Sequence, residues 1–208
     1  MRSEKGGEMN ITVLLPAGRL PLPVMAKAHE LATRYGLGVY LSLAQNLRLI
    51  NVPEEVADQI KAELAELGVR FKGPGKFPIP RVCVGEVHCN LGGIDTESLS
   101  GKILARFQDK ALTKPKFKIA IAACPLCCSA PKITDIGIVA TRAGFELYAG
   151  GKGGPYPKEG RRILVKGSEA AVLEAVEKLV NFHDAHTKKK QRMRKLLDHP
   201  EFPFPDEV

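Results

Sequence analysis

Five cysteines carry the clearest chemistry in this 208-residue chain, and they are clustered. Cys83 and Cys89 form a C-x5-C pair in CVGEVHC; after a gap of 34 residues, Cys124 and Cys128 form a C-x3-C pair in CPLCC, with Cys127 between them. Four thiolates from two separated loops, one of them at the end of a buried strand, can hold an iron–sulfur cluster. Zinc competes, because Cys124 and Cys127 also read as C-x2-C. A zinc ribbon pairs two C-x2-C knuckles, however, and the first pair here is spaced too widely. The bland reading is five inert thiols, since cysteine is often buried without a task. Placement beside Pro125 and among glycines puts these cysteines on loops and weakens it. An odd number also argues against a secreted disulfide scaffold, and the charged start MRSEKGGEMN lacks the apolar core of a signal peptide.

The elements that must position these loops read as two groups. In the first, ITVLL (11–15) is a β-branched run ended by Pro16 and Gly18, and a helix is expected from about Pro21 to Tyr35, closed by Gly36. VYLSL and LRLINV follow as two strands around Ala44-Gln45-Asn46. Pro53, Glu54 and Glu55 suit the first turn of a second helix, along which Val56, Ile60, Leu64 and Leu67 recur at helical spacing until Gly68. VRF (69–71) completes the order β-α-β-β-α-β, the ferredoxin-like or split βαβ arrangement. GPGKFPIP (73–80) reads as a linker, so the expected division is residues 1–75 and 76–208.

In the second group, Asp95 is placed to cap a helix from about Thr96 to Ala111. KFKIAIAA (116–123) reads as a strand that alternates early and is wholly apolar late, leading into Cys124. ITDIGIVA, FELYAGG and RRILVKG are further strands, a helix is expected from about Ser168 to His183 and another around Lys188 to Leu197, and the tail EFPFPDEV reads as loosely ordered. The fold class is therefore α+β throughout.

Composition narrows the partners. Hydrophobic residues at 44% and charged ones at 26% describe a globular chain. The net charge is +8, but six positive charges sit in KKKQRMRK (188–195), which reads as a solvated helix face or a docking patch for an acidic electron donor. Nucleic-acid binding is not expected from that run, which has no interleaved aromatics. No apolar stretch reaches the roughly 18 residues of a membrane span, and the expected location is cytoplasmic. His88, beside a cysteine, reads as a local hydrogen-bonding residue, and Gly150-Gly151-Lys152-Gly153-Gly154 lacks the strand–helix context of a phosphate loop, which leaves close approach of the backbone to a cofactor.

The paired C-x5-C and C-x3-C, together with ACPLCCSAPKITDIGIVATRAGFELYAGG and the upstream LSLAQNLRLINVPEE, resembles the siroheme-dependent sulfite and nitrite reductases. The resemblance spans about residues 10–195 and implies a ferredoxin-like half-domain followed by a domain that binds siroheme and a 4Fe-4S cluster. It implies that Cys83, Cys89, Cys124 and Cys128 ligate the cluster, and that Cys128 also bridges to the siroheme iron as axial ligand. Lys116 and Lys118 resemble the lysine pair that faces the oxyanion, and strand alternation would put both on one face. Arg81 is a further candidate for that anion pocket; Gln45 and Asn46, in the half-domain motif, and Arg142, Lys152, Arg161 and Arg162 are candidates for holding the macrocycle. Cys127 reads as a packed thiol beside the ligands or as a replacement ligand.

The chain departs from the family pattern at several positions. Ala44 stands where arginine is common, Leu126-Cys127 replaces the usual Asn-Gly, Ala130 replaces an arginine, and Asn90 a proline. Typical members also carry two such repeats with the siroheme between them, whereas this chain has one, as in the small sulfite reductases of anaerobes. A homodimer restoring the missing half is therefore expected, a monomer with an exposed haem edge being the alternative. The expected activity is reduction of sulfite to sulfide by six electrons from a separate donor protein. Nitrite reduction to ammonia, a non-catalytic electron-transfer or cofactor-carrying protein, and a zinc-stabilised binding module are the rival readings.

Overall fold

The computed structural model describes residues 7–107, 109–110, 116–188 and 191–208. The chain divides into two compact units between Gly73 and Pro74.

The first unit holds β1 (Glu8–Leu14), α1 (Leu22–Tyr35), β2 (Gly38–Leu41), β3 (Leu47–Pro53), α2 (Glu54–Ala65) and β4 (Arg70–Phe71). The strands form an antiparallel sheet in the order β2-β3-β1-β4, the ferredoxin-like topology. Alternation supplies the buried face: Ile11, Val13 and Leu15 around β1 and Leu47 and Leu49 on β3 lie against Val24, Ala28 and Leu31 of α1 and Ala57, Ile60 and Leu64 of α2. Pro53 is the extended N-cap of α2 rather than its first helical residue, and Gly36 closes α1 at φ 66°. Leu67, expected in the apolar stripe, is exposed because α2 has already ended.

The second unit holds β5 (Arg81–Val82), α3 (Thr96–Phe107), β6 (Ile119–Ala122), β7 (Ile136–Thr141), β8 (Gly144–Ala149), β9 (Arg161–Gly167) and α4 (Glu169–His186). Its sheet runs β5-β6-β7-β8-β9, parallel across the first three strands and antiparallel across the rest. Asp95 caps α3 by accepting from the amides of Glu97 and Ser98, and Ser168 caps α4 by accepting from Ala171. The two helices are laced by Lys102–Glu169 and Arg106–Glu177, and Lys110, past the end of α3, pairs with Asp184. Phe77, within the segment read as a linker, is buried and stacks on Phe107 at 5.2 Å, so that segment is packed into the second unit.

Four expectations are corrected. β6 begins at Ile119, not Lys116, whose φ of 78° is left-handed and outside any strand. α3 ends at Phe107; Ala111 lies outside the described residues. In place of a second C-terminal helix there is, among the described residues, a single 3-10 turn, Met193–Leu196; Lys189 and Lys190 lie outside them. That turn is tethered rather than solvated: Met193 is fully buried and Arg192 pairs with the buried Asp135 at 3.0 Å. The tail is packed as well, because Phe202 is buried against Phe182 and the Arg161 guanidinium holds the carbonyls of Leu197 and Pro205.

Candidate cluster and cofactor site

Parallel pairing of β5 with β6, Arg81 opposite Ala120 and Val82 opposite Ile121, makes both cysteine loops leave the same end of the sheet. Cys83 follows β5 directly and its amide donates to the Ile121 carbonyl at 3.2 Å, while the Ala123 amide donates to Cys83 Sγ at 3.1 Å. The first loop then folds back on this junction: Gly93 donates to the Ala123 carbonyl at 2.9 Å, Glu86 to Ile94 at 2.9 Å, and the Thr96 hydroxyl to the Cys83 carbonyl at 2.7 Å. Such a fold needs glycine, because a Cβ on Gly92 would lie 2.6 Å from the Glu86 nitrogen.

The second loop is a chain of tight turns. The Cys127 amide donates to Cys124 at 3.2 Å and the Ala130 amide to Cys127 at 2.7 Å, with Cys127 and Ala130 both left-handed at φ 55° and 51°. The Ser129 hydroxyl donates to the Ile121 carbonyl, and Arg81 donates through Nε to the Ser129 carbonyl at 2.8 Å and through Nη2 to the Thr134 hydroxyl at 3.3 Å. Arg81 is thus a clamp between β5 and the second loop, and burial lowers its pKa.

Cys83, Cys89, Cys124 and Cys127 are half-buried and Cys128 is exposed; all five are free thiols. Burial pushes the Cys127 thiol up, against the pull of the nearby Lys132 ammonium. A tetrahedral zinc site would bring its sulfurs to about 3.8 Å of one another, given Zn–S bonds near 2.3 Å. Among the described residues no three cysteine sulfurs gather within 4.8 Å of one another. A cluster, with a separate iron under each thiolate, takes the wider spacing. Val84, Val87 and Leu91 on the first loop and Leu126 on the second expose more than half their surface, an apolar lining suited to a macrocycle rather than to water.

Residues 79–200 match the nitrite and sulphite reductase 4Fe-4S domain family, and residues 1–67 match the nitrite/sulfite reductase ferredoxin-like half domain. This chain belongs to the nitrite and sulphite reductases. As a member of that siroheme- and 4Fe-4S-binding family, it is 27% identical over 201 residues to the nitrite reductase [NAD(P)H] large subunit of Klebsiella oxytoca, covering 95% of this chain and 21% of the relative. It is 23% identical to the assimilatory-type sulfite reductase of Nitratidesulfovibrio vulgaris, covering 88% of this chain and 84% of that protein. The Mycobacterium tuberculosis NirA protein shares its fold at a TM-score of 0.74 and 19% identity, over 95% of this chain and 39% of that one. Dissimilatory sulfite reductase I shares it at 0.76 and 13%, over 93% and 67%. The chain thus spans about a fifth of the length of the Klebsiella relative.

In this member of the family, the other expected site residues fall into distinct places. Arg142 occupies the tip of the β7–β8 hairpin, at the cysteine end of the sheet, since Ala122 of β6 pairs with Val139 of β7. Lys116 and Lys118 are exposed but sit before β6, Lys118 separated from Ala123 by about 16 Å of extended chain. The strand alternation expected to align them is absent, because Lys116 is not in the strand. Lys152 lies near the far end too, and the close approach expected of its glycine loop is to protein backbone: a Cβ on Gly151 would lie 2.3 Å from the Lys132 carbonyl. Arg161 and Arg162 are engaged by the tail, Arg161 with Leu197, Pro205 and Asp198 and Arg162 with Val208 and Glu146. Gln45 forms a left-handed turn at φ 59°, and the buried Asn46 accepts from the Leu15 amide at 3.3 Å, latching the β2–β3 hairpin to β1. His88 is exposed and joins the first loop's turn through its amide.

Sequence reasoning missed a polar strip beside Cys127. The Tyr148 hydroxyl donates to Glu146 at 2.7 Å, the Lys132 ammonium lies 5.0 Å over the Tyr148 ring, and it also pairs with Glu159 at 3.0 Å. Glu146 and Tyr148 at alternate positions on one strand were the available signal. It also missed Asp135, fully buried at the start of β7, which accepts from the Lys118 and Met193 amides.

Proposed function

We propose that this chain reduces sulfite to sulfide, taking six electrons from a separate donor protein, with a 4Fe-4S cluster held by Cys83, Cys89, Cys124 and Cys128. The observation that supports it is the convergence of both cysteine loops at one end of the β5–β6 pair. When bound, the cluster and siroheme supply electron storage and the iron at which the anion is reduced. Cys128, the exposed thiol, would also hold the siroheme iron. Arg81 acts through the second loop, whose Ser129 carbonyl it holds, and the Ala123 amide donates to the Cys83 sulfur. Arg142, at the same end of the sheet, is the candidate to pair with siroheme carboxylates.

Lys116 and Lys118 lie at the opposite end of β6 and serve the anion only from a second copy of the chain, which accords with a homodimer. Nitrite reduction to ammonia is the second reading, favoured by relatives such as the Klebsiella oxytoca nitrite reductase subunit. No helix among the described residues is long and apolar enough to cross a membrane, and the proposed location is cytoplasmic.

The deciding experiment is an absorption spectrum with iron and sulfide analysis on protein purified without oxygen, followed by turnover with sulfite and nitrite under a reduced viologen donor. A Soret band, a red-region band and about four non-haem irons, with faster turnover of sulfite, are expected. An iron–sulfur spectrum without tetrapyrrole bands in fully loaded protein overturns the enzyme in favour of a carrier, and preference for nitrite overturns the substrate.

A further inference from the structure

The only group of three metal-donor side chains within 4.8 Å of one another, among the described residues, is His186, His199 and Glu201. It lies outside the site above. His186 is the last residue of α4, and three residues earlier His183 packs on Phe117, just before β6 and so at the end of the sheet away from the cysteine loops. His199 and Glu201 follow the 3-10 turn in the C-terminal segment.

We infer that His186, His199 and Glu201 form a second metal site, for a borderline first-row divalent cation such as zinc. Two imidazoles and a carboxylate are a donor set such ions take, with the fourth position left to water. His186 Nε2 and a Glu201 Oε2 are 3.4 Å apart. That is the separation of two ligands on a tetrahedral zinc, about 3.4 Å for bonds near 2.0–2.1 Å. The imidazoles are already gathered, with ring centroids 4.3 Å apart. Phe182 contacts both rings, at 4.4 and 5.6 Å, and Phe202 closes on Phe182 at 5.4 Å. These aromatic walls restrict the rotamers, so less side-chain entropy is lost on coordination.

Without an ion, His199 Nδ1 accepts from the Glu201 amide at 3.2 Å, which puts the neutral ring's proton on Nε2. Coordination through Nε2 would move that proton to Nδ1 and give up this hydrogen bond. The bound ion joins the end of α4 to the C-terminal segment, which Arg161 and Phe202 also anchor.

The test is calorimetric titration of Zn²⁺ into anaerobically purified, cofactor-loaded protein cleared of loose divalent ions. One equivalent binding at micromolar or lower concentration is expected, weakened at least tenfold in His199→Gln and in Glu201→Gln, with the cofactor spectrum unchanged. Glu201→Gln alters an exposed side chain and keeps the packing, so it decides the matter even where a histidine variant fails to fold. Absence of binding in the wild type, or unchanged affinity in Glu201→Gln, overturns the site.

Discussion

Asp135 shows most sharply how one residue acts beyond its neighbourhood. Its carboxylate is fully buried at the start of β7, yet it joins β6 through the Lys118 amide and the C-terminal segment through Met193 and Arg192. Burial is the larger effect on its acidity, only partly offset by Arg192 and the two amides, and lifts its pKa to about 6. The folded protein therefore holds this proton more tightly than the unfolded chain. The associated stability is present below about pH 4 and is lost as pH rises towards 6, a change on the order of 3 kcal/mol. The melting temperature of the wild type minus that of Asp135→Asn should accordingly fall between about pH 4 and 6 and stay level above. A difference that does not vary over that range would show that Asp135 is ionised throughout.

At the scale of elements, the connection from β6 to β7 does the positioning. It carries Cys124, Cys127 and Cys128, then returns across the sheet so closely that a Cβ on Gly137 would lie 2.2 Å from the Pro131 carbonyl oxygen. Gly137→Ala must lift this connection off β7, at a cost of about 1–3 kcal/mol as for other overpacked sites. Because the lifted segment bears three of the cysteines, iron per chain should fall together with the melting temperature. Full iron content in the variant would mean that the loop's cysteines do not depend on the contact. Much of this scale was legible beforehand: Ile11, Val13 and Leu15 alternate as a strand must, and Asp95 caps where its side chain suggested. β5 was not legible, because two residues carry no periodicity and exist as a strand only through β6. KKKQRMRK has the composition of a helix surface, but Asp135 and the Glu159 carbonyl draw Arg192 and Arg194 inward, and a 3-10 turn results.

For the whole molecule, the proposed anion site turns on Lys116 and Lys118. Lys116 and Lys118 are exposed at the far end of β6 from the cysteines, so one chain does not bring them together. A homodimer is expected in sedimentation, and Lys116→Ala with Lys118→Ala should lower kcat/KM for sulfite by tenfold or more while the cofactor spectrum is kept. A fully active monomer would remove the dimer, and full activity in the double variant would remove the lysines from the anion site.

The sequence by itself determined the ferredoxin-like order of the first unit, the α+β class of the second and the two cysteine pairs, because periodicity, caps and spacing are properties of neighbouring residues. Only the tertiary structure decided which charged groups share a place with the cysteines. Arg81 turned out to clamp the second loop, Arg161 and Arg162 to hold the tail, and three donors from α4 and the C-terminal segment to meet. Those outcomes depend on which strand lies beside which and on what a buried Asp135 recruits, and long-range pairing of that kind leaves no mark in the local spacing of residues.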